Sequence, residues 1–292
     1  MGFALADRFG KEMEVIGTTR TEAPVCPWRQ LVHDWRNPFY AMDGLKSDLF
    51  VHAAFKSLPY PVTPIQTQEI LDWNETMARN AAEAALRLEV GKVILLSTGS
   101  VYGERDEIVT ERTPLILREQ ASPYALSSRT VEEIFRFFLA GVPLIIVRLF
   151  YPYGPRVSHD RLVSRLATKI AKGEPIKLRP DDKNLGRPRI NPVFIDDAAE
   201  AILKLAGAKS SGEGGVLTVN LGGPEILSIR ELADKIAKQL GKKCRFEIDS
   251  NSPPAHDLFC SNQLLSALTG CAPAIKFDTG LQATLKNLNL SK

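Results

Sequence analysis

Two apolar runs without polar alternation stand out along the chain. One is Val93 to Leu96; the other is Val142 to Phe150, apolar apart from Arg148. Runs of this kind predict strands buried on both faces of a parallel sheet. Further strands are expected at Glu14–Arg20, Asp48–Phe55 and Val216–Gly222. Between them lie segments with helical periodicity. Met1–Phe9 places Ala4, Leu5 and Phe9 on one side. Asn74–Leu88 is rich in Ala, Glu and Arg. Tyr124–Ala140 and Arg161–Lys172 follow. Ser228 with Glu231 three residues on forms a capping box that opens Ile229–Leu240. Short helices are expected at Gln263–Leu268 and Thr279–Leu288. Alternating strands and helices imply an α/β fold with a parallel sheet.

Composition narrows the function classes. The 292 residues are 44% hydrophobic, enough for a sizeable core in one large domain or two intimate lobes. A net charge of +3 without a Lys/Arg-rich run gives no footprint for nucleic acid. Cys26, Cys244, Cys260 and Cys271 show neither C-x-x-C nor metal spacing, and read as reduced thiols of a cytoplasmic protein. No apolar run reaches the ~18 residues of a membrane span, and no basic-then-apolar leader opens the chain.

The chemistry-bearing stretch begins where the first apolar run ends. Leu95-Leu96-Ser97-Thr98-Gly99-Ser100-Val101-Tyr102-Gly103 turns from a buried strand into small, hydroxylated residues. In open α/β sheets ligands bind at the carboxyl ends of strands, so these hydroxyls are placed to meet a substrate oxygen. Ser122-Pro123-Tyr124 then puts a phenol at the start of a helix able to pack beside that strand end.

S-T-G-S-V-Y-G followed by S-P-Y resembles the extended short-chain dehydrogenases/reductases, in the nucleotide-sugar epimerase/dehydratase branch, over nearly the whole chain. The resemblance implies a Rossmann-like doubly wound parallel sheet with a smaller C-terminal substrate lobe. Residues 1–155 would form the dinucleotide-binding domain, with 191–222 returning to it. Residues 156–190 and 223–292 would form the lobe. It implies Thr98 and Tyr124 as catalytic residues, with the phenol acting as acid or base at a sugar hydroxyl. It also implies Gln30–Arg36 as the strand whose Asp34 and Trp35 backbone border adenine. Ala53 and Ala54 would allow close passage of a cofactor, although tight strand–helix packing explains them equally. Asn74 matches a position close to the cofactor and can also serve as a helix N-cap. Ser100, Tyr151, Arg187 and Arg189 are the substrate candidates, the arginines lying in a basic loop over Lys183–Arg189. Asp196 and Asp197 suit a helix N-terminus better than chemistry. His33 and His52 read as packing residues. The implied substrate is a nucleotide sugar or related polyol, and pairing into a homodimer would use the helices after the S-T-G strand and at Tyr124.

Three departures fall on functional positions. Gly2 resembles the last glycine of a G-x-x-G-x-x-G turn, but the preceding strand and two glycines are absent. That strand is normally central, so its neighbours are expected to be left unpaired. Either the chain begins at an internal Met of a longer protein, or the domain is trimmed. Second, the lysine four residues after the Tyr is Ser128, with Arg129 beside it. Arg129 lies about 100° further around the helix and should face elsewhere. Third, an expected Asn is Tyr151. Arg20 stands at a strand end where a carboxylate would bind an NAD ribose; an Arg there suits a 2′-phosphate and favours NADP over NAD. Two readings result: an impaired epimerase/dehydratase/reductase, or a non-catalytic nucleotide- or sugar-binding relative that supports an active homologue.

Overall fold

The computed structural model describes residues 1–22, 26–40, 45–57, 62–181, 186–208 and 215–290. Of the basic loop expected over Lys183–Arg189, residues 183–185 lie outside them.

Both apolar runs become central strands. β3 (Leu49–His52), β4 (Lys92–Thr98), β5 (Leu144–Leu149) and β8 (Val216–Leu221) form a parallel sheet in the order β3-β4-β5-β8. Side chains alternate between its faces. Val93, Leu95, Leu144 and Ile146 pack with α2 (Pro64–Arg87) and α3 (Pro123–Phe138). Ile94, Ile145, Val147, Leu149, Val219 and Leu221 pack on the other face, with α1 (Gly2–Phe9) and α5 (Ile195–Gly207). Helices on both faces make the sheet doubly wound.

β1 (Ile16–Thr19) and β2 (Arg29–Val32) form a separate parallel ribbon, hydrogen-bonded to each other. Among the described residues no ladder joins β1 to β3. The interruption lies where the absent first strand was expected. The ribbon is attached through side chains instead. Trp28 lies across Gly17, where an added Cβ would meet its ring at 2.3 Å. Its indole N–H donates to Asp7 Oδ1 at 3.1 Å, hooking the ribbon to α1.

A second hydrophobic cluster gathers α4 (Leu162–Lys172), β6 (Ile176–Leu178), α6 (Ile229–Leu240), β10 (Phe246–Ile248) and α8 (Phe277–Asn287). The capping box at α6 is formed: Ser228 Oγ accepts from Glu231 N at 3.1 Å, and Glu231 accepts from Ser228 N at 2.7 Å. β7 (Arg189–Ile190) pairs antiparallel with β9 (Leu227–Ser228). One helix departs from the expected division. α7 (Gln263–Thr269) packs on α5 and β8, with Leu265 fully buried and Leu264 and Leu268 packed on the same cluster. Among the described residues no helix is long and apolar enough to cross a membrane.

Asn74 is not an N-cap. α2 starts ten residues earlier, at a capping box of Thr63 and Gln66 with Pro64 in the first turn. Strong local start signals outcompete a polar residue in the helix interior.

A polar rung crosses the sheet near its carboxyl edge. Ser97, Arg148 and Asn220 are register partners on adjacent strands and share the α3 face. Arg148 and Glu132 of α3 are 5% and 3% exposed. The guanidinium donates to both carboxylate oxygens, at 3.0 and 2.7 Å, and to Tyr102 Oη at 2.8 Å. Ser97 Oγ donates to Glu132 at 2.5 Å, and Tyr102 Oη donates to Asn220 Oδ1 at 2.9 Å. Two charges buried this deeply are tolerated because each is paired and hydrogen-bonded. Removing one leaves the other uncompensated. Glu132→Gln is expected to destabilise the protein by about 3–5 kcal/mol in urea unfolding. The double variant Glu132→Leu, Arg148→Met is expected to lose less than Glu132→Gln alone.

Candidate functional site

β4 ends at Thr98, which N-caps the 3-10 turn Gly99–Tyr102. Its Oγ1 accepts from Ser100 N at 3.2 Å and donates to Ser100 Oγ at 3.2 Å. Gly99 is required by close approach: a Cβ there would meet the Phe150 ring at 2.4 Å. α3 packs on both β4 and this turn. Ser122 caps α3, accepting from Ala125 N at 3.2 Å, and Pro123 occupies the first turn. Tyr124 therefore enters at the helix start, half-buried, beside the strand end.

The surroundings of Tyr124 combine expected and unexpected groups. Phe55 lies edge-on to its ring at 5.2 Å. Ser128 is buried, and its hydroxyl donates back to Tyr124 O at 2.9 Å, away from the phenol end. Arg129 donates to Ile116 O, and its Nε is buried without a partner. The cation over the Tyr124 ring is Arg161, its guanidinium carbon 5.9 Å from the ring centroid. The sequence reading missed Arg161. The available signal was an arginine at the N-cap of a helix, a position where Ser, Thr, Asp or Asn is preferred.

Tyr151 stands where Asn was expected, with φ +48°. A bulky side chain in the left-handed region is strained, whereas Asn visits it readily. The Tyr151 ring packs against both the second-lobe cluster and the Tyr102–Phe150 cluster. Burial first, then the Glu104 carboxylate, pushes its phenol pKa above the ordinary value; Arg179 opposes and Tyr124 adds to the rise.

Arg187 and Arg189 are spent on carboxylates. Arg189 donates to fully buried Asp257 from its backbone N at 2.7 Å, its Nε at 2.8 Å and its Nη2 at 2.6 Å. Arg187 reaches Asp106 at 2.7 Å and Asp257 at 3.5 Å. A diphosphate would have to compete with these acids.

At the expected adenine end, Asp34 is held by Arg36, whose Nε lies 3.0 and 2.9 Å from the two carboxylate oxygens. That hydrogen bonding lowers the carboxyl pKa from 3.8 to about 2, with exposed Arg20 a further cation nearby. Trp35 O accepts from Asn80 at 2.9 Å, and its indole donates to Thr18 at 2.8 Å. Arg36 and Lys56 both stand over the Trp73 ring, at 4.2 and 3.6 Å. Asn74 is 1% exposed. It accepts from Lys56 N at 2.7 Å and donates to Lys56 O at 2.9 Å and Ser127 Oγ at 3.0 Å. Its amide thus clamps the Ala53–Lys56 segment to α2 and α3. Gly2 is exposed, and a Cβ there would touch Ala53 Cβ at an ordinary 3.9 Å. Asp197 holds the backbone of Ala274 and Ile275, at 2.8 and 2.7 Å. His52 is buried beside Phe135, and burial drops its pKa to about 4, so it is a neutral packing group near pH 7.

The residues expected at the two ends of a dinucleotide are Asp34 and Arg20, and Thr98 and Tyr124, with Gly2 as the expected glycine-turn residue.

Comparison with known proteins gives the family context. The sequence profile described as "NAD dependent epimerase/dehydratase family" matches residues 1–222. The "Uncharacterized UDP-glucose epimerase YtcB" of Bacillus subtilis is 30% identical over 164 residues, covering 55% of this chain and 48% of that protein. A probable UDP-glucuronate 4-epimerase of Rhizobium meliloti is 24% identical over 229 residues, covering 72% of this chain and 66% of that protein. The chain thus matches about half of the first relative's length and about two thirds of the second's. The UDP-glucuronic acid 4-epimerase of Bacillus cereus, solved with UDP-glucuronic acid and NAD, superposes with a TM-score of 0.81 at 20% identity. That match covers 98% of this chain and 94% of the solved one. Likeness at that identity shows the fold.

The Asp34–Arg36 pair has a pH signature. The folded-state pKa lies below the ordinary 3.8. The stabilisation is therefore present above that value and lost as pH falls toward 2. Asp34→Asn is expected to lower the urea midpoint at pH 5 and to leave it unchanged at pH 2.

Proposed function

The chain belongs to the NAD-dependent epimerase/dehydratase family, and we propose that it binds a nucleotide sugar with the sugar ring against Thr98, Ser100 and Tyr124. In this reading Tyr124 exchanges a proton with a sugar hydroxyl, and Thr98 Oγ1 hydrogen-bonds the same oxygen. A bound nicotinamide would supply or accept the hydride in such chemistry. The cations of Arg187 and Arg189 meet the diphosphate at the cost of their present pairing with Asp257. Residues 156–190 and most of 223–292 act as the substrate lobe.

The observation that carries the proposal is the placement of Tyr124 at the start of a helix packed on β4 and on the Thr98–Ser100 turn. The same neighbourhood supports impaired catalysis. Ser128 carries no charge, and its hydroxyl is spent on the helix backbone. It supplies neither the electrostatic assistance nor the ribose contact of a lysine. Arg20 supports a preference for a 2′-phosphate, and hence for NADP. The relatives solved with NAD set the contrary expectation for this chain. A cytoplasmic homodimer paired through the helices after the S-T-G strand and at Tyr124 belongs to the same reading; Phe137 on α3 is 79% exposed.

The second reading is a non-catalytic relative supporting an active homologue, and the uncharged Ser128, bonded to the helix backbone, supports it. The two separate in one set of measurements. Calorimetric titration is expected to show UDP-sugar binding. Cofactor binding is expected to be weak, with NADPH tighter than NADH. Absence of binding at millimolar cofactor removes the redox function and leaves the second reading. If turnover is detected, Tyr124→Phe is expected to lower it by about 10²–10⁴-fold, and Ser128→Lys to raise it.

A further inference from the structure

We propose that the loop after the Gly99–Tyr102 turn is an autoinhibitory strap: the carboxylates of Glu104 and Asp106 occupy Arg179 and Arg187 in place of a ligand diphosphate, and an arriving diphosphate releases them. This rests on the nucleotide-sugar reading above and adds how its diphosphate end is regulated.

The strap leaves the turn at Gly103, whose φ of +74° favours glycine. Glu104 then takes Arg179 with both oxygens, Nη1 donating to Oε1 at 2.6 Å and Nη2 to Oε2 at 2.9 Å. Two residues on, Asp106 Oδ1 accepts from Arg187 Nη1 at 2.7 Å. His256 lies between the two acids. Its backbone N donates to Glu104 Oε2 at 3.4 Å, and its Nδ1 is 3.3 Å from Asp106 Oδ2. The two carboxylates thus flank one residue, each on its own guanidinium. A diphosphate offers the same pattern, two linked anionic groups matched to guanidinium forks. Glu104, Arg179 and Tyr124 all act on the Tyr151 phenol, which places the strap at the cleft that Tyr124 borders.

Exposure decides which acids yield. The side chains of Glu104 and Asp106 are 36% and 52% exposed, whereas Asp257 is fully buried. Exposed ion pairs contribute little, because both partners regain water on separating. Stripping a buried carboxylate of its cation is far more unfavourable. The Glu104 and Asp106 pairs therefore give way first. Arg189, which gives Asp257 three donors, turns to a ligand only by uncovering that buried charge.

The test is calorimetric titration of the full chain with inorganic pyrophosphate and with UDP, in roughly 0.15 M salt, where exposed unpaired charges are largely screened. Wild type is compared with Glu104→Gln, Asp106→Asn and the double variant, with urea midpoints as the folding control. Glu107→Gln serves as the charge control, because Glu107 is exposed on the same loop and has no ion-pair partner among the described residues. Each single strap variant is expected to bind both ligands about two- to fivefold more tightly, and the double variant about four- to twentyfold. Glu107→Gln is expected to change affinity by less than about 1.5-fold. In wild type, hydrogen exchange over 104–107 is expected to quicken when pyrophosphate binds, while the Val109 amide, held by Phe259 O at 3.0 Å, stays protected. That measurement carries the test if a variant does not fold. Unchanged or weaker affinity in the strap variants, an equal gain in Glu107→Gln, or slowed or unchanged exchange over 104–107 would overturn the strap and leave UDP binding in place. If none of the proteins binds UDP or pyrophosphate, the nucleotide-sugar reading falls, and the strap with it.

Discussion

The buried pair of Arg148 and Glu132 is the contact on which the site's geometry depends. Glu132 lies two turns along the helix that Tyr124 opens, and Arg148 lies on the strand beside β4. A charge removed from water is tolerated only against its partner. α3 therefore has little freedom to slide or rotate on the sheet. The same guanidinium reaches Tyr102 Oη in the turn that Thr98 caps, and Tyr102 reaches Asn220 on β8. One ion pair thus links the helix bearing the phenol to the turn bearing the hydroxyls. Hydrophobic packing alone is non-directional and would leave that alignment less determined.

The edge at β1 and β2 is built differently. There the sheet is divided, and β1 and β2 are attached by side chains rather than by ladder hydrogen bonds. Trp28 to Asp7, and Asp7 to Arg156 at 2.5 Å, tie the ribbon to α1 and to the turn after β5. Asp34 is satisfied by Arg36 and Asn74 by Lys56 and Ser127. Groups expected from the sequence to meet a dinucleotide are thus already engaged by the protein. Around Tyr124 the nearby cation is Arg161, over the ring face.

Much of the fold is legible in local pattern. The unbroken apolar runs give β4 and β5, and the Ser228–Glu231 spacing gives α6 to the residue. Ser122-Pro123 fixes the start of α3. What escapes is set by tertiary context. Asn74 reads as a cap, yet Thr63, Pro64 and Gln66 start α2 earlier, and the buried amide becomes a clamp. α7 is too short for its period to reveal which layer it joins. Arg148 reads as an exception within an apolar strand, because its partner Glu132 lies 16 residues earlier on a different element. The αL backbone of Tyr151 follows from the turn after β5, and no residue type there announces it. Arg161 reaches Tyr124 from the N-cap of α4, a different element, so no sequence spacing encodes the contact.

The account is tested most directly by a crystal structure of the chain with UDP-glucuronate bound. It requires the sugar ring between α3 and α4, with one ring oxygen substituent within hydrogen-bonding reach of both Tyr124 Oη and Thr98 Oγ1. A ligand bound elsewhere, or those two oxygens opening onto different sides of the molecule, would contradict it.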